Sequence, residues 1–176
     1  MINIEDQEKL LIDIGKQIKK KITVYAIGGT AMMFQGLKQA TLDIDLVFKN
    51  QEEKEIFKSA TKDLGYQDFD AIKAYGKKDN KPDMVSLGDV RFDLFVKKII
   101  QFYFTREMQD RAIDTHEFQN LIIKIVNYHD IILLKCATDR EKDKDDVRSI
   151  IQNKKINWNT ILKETENQIK HGKETI

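Results

Sequence analysis

Three aspartates are the residues of this chain best suited to chemistry. Asp43 and Asp45 stand one residue apart in Thr41-Leu-Asp-Ile-Asp-Leu-Val-Phe48, and Asp93 stands in Arg91-Phe-Asp-Leu-Phe-Val96. Both runs alternate with the two-residue period of a β-strand. Asp43, Asp45 and Val47 therefore share one face, and Ile44, Leu46 and Phe48 the other. On the second run Arg91, Asp93 and Phe95 face one way, and Phe92, Leu94 and Val96 the other. Taken singly, each aspartate reads as the wet face of a half-buried strand. Taken together, acids embedded in apolar strands are costly unless something positive meets them. Carboxylates side by side repel each other unless a cation lies between them, and Mg²⁺ takes oxygen ligands while leaving room for water and phosphate.

Two further stretches carry candidate chemistry. Lys21 to Ile27 is rich in β-branched and aromatic residues, as a strand is, and it stops at Gly28-Gly29. The glycine pair permits a tight turn and the close approach of a ligand to the backbone, although an ordinary turn reads the same. Thr30 caps a short predicted helix, Ala31 to Gln35, whose free N–H groups would face an anion. Near the other end, Asn127-Tyr-His-Asp-Ile-Ile-Leu-Leu-Lys135 precedes Arg140, Lys142, Asp143 and Asp146. That mixed cluster is equally a solvated helix face with Asp143 as its cap. No Ser-His-Asp order and no Gly-Lys-Ser/Thr phosphate loop is present, and His116, His129 and His171 lack zinc spacing.

In order, the Gly-Gly turn, thirteen intervening residues, Asp43-Ile-Asp45, Asp93 and the Lys-Asp helix resemble the signature of the nucleotidyltransferase superfamily, with its DNA polymerase β-like fold. The resemblance runs from about Tyr25 to Ile151. Within the superfamily it is nearest to small stand-alone prokaryotic proteins akin to AbiEii-type abortive-infection toxins. It implies an α/β (α+β) fold: a mixed, mainly antiparallel sheet with flanking helices and extra C-terminal helices closing one side of a cleft. It implies transfer of a nucleoside monophosphate from an NTP to a hydroxyl, assisted by Mg²⁺ or Mn²⁺. In that pattern Asp43 and Asp45 touch two ions and Asp93 the first only, with Asp93 also the candidate general base. Gly28, Gly29 and Thr30 would cradle the β- and γ-phosphates, Thr30 standing where many members have Ser. Lys135 or Lys142 would meet phosphate, Asp143 or Asp146 would orient a lysine, and Arg140 and Arg91 would support the set, Arg91 pairing with a phosphate or another carboxylate. Implied partners are the NTP, an RNA acceptor such as a tRNA 3′ end, and a protein antitoxin. A non-catalytic nucleotide- or RNA-binding module on the same fold is the alternative, and three intact aspartates count against it.

The whole chain fits these readings. Its 176 residues suit one domain, with a core over about 21–126 and a C-terminal helical part over about 127–176. With 41% hydrophobic residues it can bury a real core. A formal charge of +1 gives no global field toward nucleic acid or membrane, so any basic surface is local. Local lysine clusters occur at Lys16–Lys21, at Lys77, Lys78 and Lys81, and at Lys97–Lys98. A single cysteine, Cys136, excludes an internal disulfide and fits a reducing cytoplasm, and it reads as a small buried side chain. The first residues lack a signal-peptide pattern, and no apolar run reaches membrane-spanning length.

Local signals set the remaining elements. A helix is expected over 4–20 with Asn3 as cap, and another from Asn50, with Glu53 as its capping partner, to Gly65. A strand is expected over 66–72, a polar loop over 74–83, and a hairpin of 84–87 with 90–96 about Gly88-Asp89. Thr105 opens a short helix to about Arg111, and 112–118 with 121–126 forms a second hairpin. Asn127 caps the next helix. Residues 139–144 form a charged break, a helix restarts at Asp143 or Lys144, and the last begins at Asn157 or Asn159 with Trp158 as its anchor. Residues after His171 are expected to fray.

Overall fold

The computed structural model describes residues 1–136 and 138–174. In chain order the elements are β1 (Ile2–Asn3), α1 (Ile4–Gln17), β2 (Ile22–Ala26), α2 (Gly28–Phe34), β3 (Ala40–Thr41), β4 (Ile44–Phe48), α3 (Gln51–Asp63) and β5 (Gln67–Phe69). There follow α4 (Ala71–Tyr75), β6 (Asp83–Leu87), β7 (Val90–Val96), β8 (Lys98–Ile99), β9 (Phe102–Tyr103), α5 (Arg106–Asp110), β10 (Asp114–Phe118), β11 (Leu121–Ile125), α6 (Tyr128–Lys135), α7 (Glu141–Asn153) and α8 (Trp158–Glu174).

The main sheet has the order β10-β11-β2-β4-β7-β6-β5, with β8 and β9 extending from β7. The pairs β11–β2 and β4–β7 are parallel and the other neighbours antiparallel. This is the mixed, mainly antiparallel α/β architecture expected from the sequence. Phe57 of α3 packs its ring against Phe48 of β4 and Phe92 of β7, and Tyr66 joins Phe92. Those phenylalanines fix the side of the sheet that faces α3. Alternation then turns Asp45 and Asp93 to the opposite face. The register pairs Asp45 directly with Asp93. The apolar face buries Leu11, Ile14, Val24, Leu46, Phe48, Phe57 and Phe92 completely. Burying such side chains contributes about 1.5–3 kcal/mol each and supplies the rigidity the polar face needs.

The caps read from the sequence are present. Asn3 accepts from the Asp6 N–H, Asn50 from Glu53, Thr105 from Met108 and Asn127 from His129. Several expectations need correction. The first helix ends at Gln17, and Ile18 leaves it in extended conformation. Thr30 is not a cap: α2 starts at Gly28, and the Thr30 hydroxyl accepts the Asp45 backbone N–H at 2.9 Å. The strand expected over 66–72 closes at Phe69. Asp70 accepts the Ile72 N–H and turns the chain into α4, where part of a loop was expected. The short pairings β1–β3 and β8–β9 carry no alternation long enough to read. The seventh helix begins at Glu141, inside the expected charged break. Cys136 is exposed, because it is the residue at the C-terminal end of α6 rather than on its packed face. Trp158, expected to anchor the last helix, is 54% exposed. Instead α8 is held by Glu164, which meets Arg111 at 2.5 Å and Thr105 at 2.9 Å, while Arg111 also clasps buried Asp130. Helix α8 continues past His171 to Glu174, and the rest of the tail expected to fray, residues 175–176, lies outside the described residues.

Candidate active site

The polar face of β4 and β7 opens into a cavity of about 220 Å³. Asp43, Asp45 and Arg91 line it from the sheet, Gly28 and Gly29 from the start of α2, and Lys38 and Thr41 from the stretch between α2 and β4. Lys135, Thr138, Arg140, Lys142, Asp143 and Asp146 line it from α6 and α7. Ala74, Tyr75, Lys78, Phe95, Ile99 and Ile100 form a largely apolar lip. The glycine turn, the aspartate pair and the Lys-Asp helix read from the sequence therefore meet at one cavity. Asp93 lies behind its wall.

On the sheet side four side chains cluster. Asp45 and Asp93 are register partners, Arg91 lies two residues before Asp93 on β7, and Asp43 lies in a bend just before β4, which starts at Ile44 rather than at Leu42 as expected. Arg91 bridges Asp43 and Asp93: its Nη2 lies 2.5 Å from Asp43 Oδ2, its Nε donates to Asp93 Oδ1 at 2.9 Å, and Nη2 is 3.4 Å from Asp93 Oδ2. The Tyr75 hydroxyl donates to Asp93 Oδ2 at 2.6 Å. Asp93 is fully buried with both oxygens engaged. Burial nonetheless pushes its carboxyl up, against the donors Tyr75 and Arg91. Burial pushes the Tyr75 hydroxyl up as well, with Asp45 and Asp93 adding to it. Asp45 has no hydrogen-bond donor on its carboxylate among the described residues. Burial, then the charges of Asp93 and Asp43, push it up to about 8.

The α6–α7 side is built differently. Lys38 reaches Asp146 at 2.7 and 2.9 Å, and Lys135 bridges Asp146 at 2.6 Å and Asp143 at 3.0 Å. Arg140 donates to Asp143 at 2.7 Å, and Thr138 donates to the same carboxylate. Burial would push Asp143 up, but Thr138, Arg140 and Lys135 outweigh it and hold the carboxyl at about 2. Asp146 is likewise held down against its burial by Lys135 and Lys38. Lys142 is exposed at the rim.

The glycine pair is required first by the chain's own packing. Gly28 has φ +57°, and a Cβ there would lie 2.7 Å from Asp45 Oδ2. A Cβ on Gly29 would lie 2.6 Å from Thr41 Oγ1. Thr30, fully buried, does not line the cavity, so its hydroxyl orients the strand carrying Asp45 rather than meeting the cavity. Lys38, Thr41 and Tyr75 were not legible as site residues. Lys38 finds its partner more than a hundred residues away, and Tyr75 ends a five-residue helix that straddles the expected strand over 66–72 and the expected loop over 74–83. Of the lysine clusters, only Lys78 lines the cavity. Lys16, Lys20 and Lys21 pair with Asp13, Glu52 and Glu117 on the surface.

The donor set fits a divalent cation at Asp43 and Asp45. Both offer hard oxygens to the cavity, and the unpartnered, upshifted Asp45 is the kind of carboxylate a cation stabilises. Among the described residues no three His, Cys, Asp or Glu side chains stand together as one ion's ligands, and Asp93 is held by Arg91 and Tyr75.

Residues 2–173 match the protein family described as "Nucleotidyltransferase of unknown function (DUF6036)". Among curated proteins, none matches the sequence. Solved structures share the fold. ANT(2″)-Ia in complex with adenylyl-2″-tobramycin superposes with a TM-score of 0.55 at 14% identity, over 83% of this chain and 88% of that one. A protein from Thermotoga maritima assigned as a nucleotidyltransferase gives 0.53 at 10% identity, over 88% and 97%. An antigenic nucleotidyltransferase-like protein from Paracoccidioides brasiliensis gives 0.51 at 17% identity, over 85% and 76%.

Proposed function

Starting from a chain that belongs to the DUF6036 family of nucleotidyltransferases, we propose that it moves a nucleoside monophosphate from an NTP to a hydroxyl of an RNA, with a tRNA 3′ end as the leading acceptor. The observation that carries this is the meeting of the unpartnered Asp45, with Asp43, and a lysine-rich wall across one cavity. Asp43 and Asp45 would hold Mg²⁺ or Mn²⁺. When bound, that ion supplies Lewis-acid activation and neutralises charge on the triphosphate. Lys135, Lys38 and the rim Lys142 offer cations to phosphate, and the backbone at Gly28-Gly29 borders the same space. In the transfer the acceptor oxygen forms a bond to the α-phosphorus, the bond from that phosphorus to the β-phosphate oxygen breaks, and pyrophosphate leaves. Asp93 is the candidate to take the acceptor's proton once its carboxylate is uncovered.

The acceptor reading rests on the lip. Lys78, Tyr75 and Ile100 border the side nearest Asp93, Phe95 and Ile99 are almost fully buried there, and none of these lining residues is an acid. Such a surface suits a stacked base and its phosphate better than a polycationic small molecule. A protein antitoxin as regulatory partner is supported by the resemblance to AbiEii-type toxins. Action in a reducing cytoplasm is supported by the exposed free thiol of Cys136. No described helix is long and apolar enough to cross a membrane.

The test is transfer of label from each of the four NTPs to total RNA with Mg²⁺ or Mn²⁺, beside Asp45→Asn. Label on tRNA that disappears in the variant supports the reading. Toxicity is tested by growth arrest on induced expression, relieved by the same substitution. A second reading, a nucleotide- or RNA-binding module without catalysis, is favoured by the closure of Asp93. NTP binding by calorimetry with no label transferred to any acceptor would select it.

A further inference from the structure

We propose that Arg91 is a resident counter-ion which a divalent cation must displace before Asp93 can become its ligand. This rests on reading the cavity as a nucleotidyl-transfer site. The cluster holds three carboxylates and one guanidinium. Arg91 satisfies Asp43 at 2.5 Å and Asp93 at 2.9 Å, lying between them. It makes no bond to Asp45, the acid left without a donor. A guanidinium is flat and singly charged, so it serves two of the three acids. A compact doubly charged ion already on Asp43 and Asp45 would add Asp93 only by taking the guanidinium's place there.

The geometry allows the exchange. Arg91 lines the cavity and its side chain is 25% exposed, so the guanidinium has open space to swing into. The same swing carries a positive charge toward the space where the triphosphate would sit. Tyr75 guards the other oxygen of Asp93 at 2.6 Å from α4, a helix of five residues none of which is buried. Its ring meets Phe95 edge-on with centroids 6.1 Å apart. A lightly packed helix is a weak anchor, so this second guard can lift as well. The third ligand is thus present but closed, and the ion itself competes for it against the chain's own arginine.

The experiment measures ion binding without nucleotide. Free Mn²⁺ is titrated by electron paramagnetic resonance with the wild type, Arg91→Gln, Arg91→Lys, Tyr75→Phe and Asp45→Asn. In parallel the Arg91 Nε–H resonance is followed by NMR as Mg²⁺ is added. Arg91→Gln is expected to bind Mn²⁺ about tenfold or more tightly. Arg91→Lys, which keeps the charge but loses the two-armed bridge, and Tyr75→Phe should move the same way by less. The Nε–H resonance should shift and exchange faster with solvent as Mg²⁺ saturates. Unchanged or weaker Mn²⁺ binding in Arg91→Gln, or an Nε–H signal unmoved at saturation, overturns displacement while Asp45→Asn still abolishes binding. Wild-type Mn²⁺ affinity in Asp45→Asn overturns the cavity's nucleotidyl-transfer reading, and this proposal with it. If circular dichroism shows Arg91→Gln unfolded, Tyr75→Phe and the resonance decide.

Discussion

The two walls of the cavity handle charge in opposite ways. The sheet wall gathers Asp43, Asp45 and Asp93 against one arginine and leaves Asp45 without a donor. The helical wall gathers Asp143 and Asp146 against Lys38, Lys135 and Arg140, and every one of these groups has a partner. A buried, satisfied network fixes geometry, whereas an under-compensated acid facing a cavity is a candidate for binding a cation. On the proposed reading, the difference separates the wall that holds the frame from the wall that would hold an ion.

The widest separation between the walls should come from amide substitutions. Asp45→Asn is expected to reduce label transfer to background while raising the metal-free melting temperature, since it removes an acid that has no donor and that its surroundings push up. Asp146→Asn should do the reverse to stability. It strips Lys38 and Lys135 of a shared carboxylate, and breaking such a buried network costs about 3 kcal/mol by urea denaturation. Melting shifts of the same sign in both variants would erase the contrast.

Next in size is pH dependence without metal. Asp45, pushed up to about 8 in the folded state, binds a proton there that the unfolded chain has released above about 4. Its contribution is therefore present at low pH and lost as pH rises from about 4 to 8. Asp143, held at about 2, contributes fully above about 4 and loses that contribution as pH falls toward 2. Thermal melts across pH should show both limbs, Asp45→Asn flattening the upper and Asp143→Asn the lower. Gly29→Ala should cost about 1–3 kcal/mol, because its Cβ would meet Thr41 Oγ1 at 2.6 Å. Adding Thr41→Ala should recover most of that loss in the same denaturation assay. The smallest effect belongs to Lys78→Gln, expected to lower RNA affinity and the slope of log affinity against log salt by about 0.7.

The sheet wall was the more legible of the two. Asp45 and Asp93 sit in strands whose alternation announces both the face and the cost of an acid on it, and the 90–96 strand appears where it was expected. Lys135, Arg140, Lys142, Asp143 and Asp146 were legible only as a charged cluster, since a paired lysine and a solvated one look alike in sequence. Arg91 was read as a neighbour of Asp93 that would pair with phosphate or another carboxylate, and its bridging to Asp43 depends on the parallel register of β4 and β7, which no local signal carries. Thr30 was misread because a hydroxyl after a glycine pair suggests a cap, whereas strand packing turned it to Asp45. Tyr75 was missed because a single turn opened by Asp70 has too few residues for periodicity to register.

The pairing of Asp45 with Asp93 also bears on the order in which the molecule assembles. Their strands are parallel neighbours, joined by a crossover that contains α3, β5, α4 and β6. Parallel ladders of this kind form slowly, because a long loop must close before any contact rewards it. The acid cluster therefore does not exist in a chain that has built only its local helices and hairpins. During refolding, the gain of Mn²⁺ affinity should lag the gain of helical circular dichroism, making the ion a clock for closure of the central crossover.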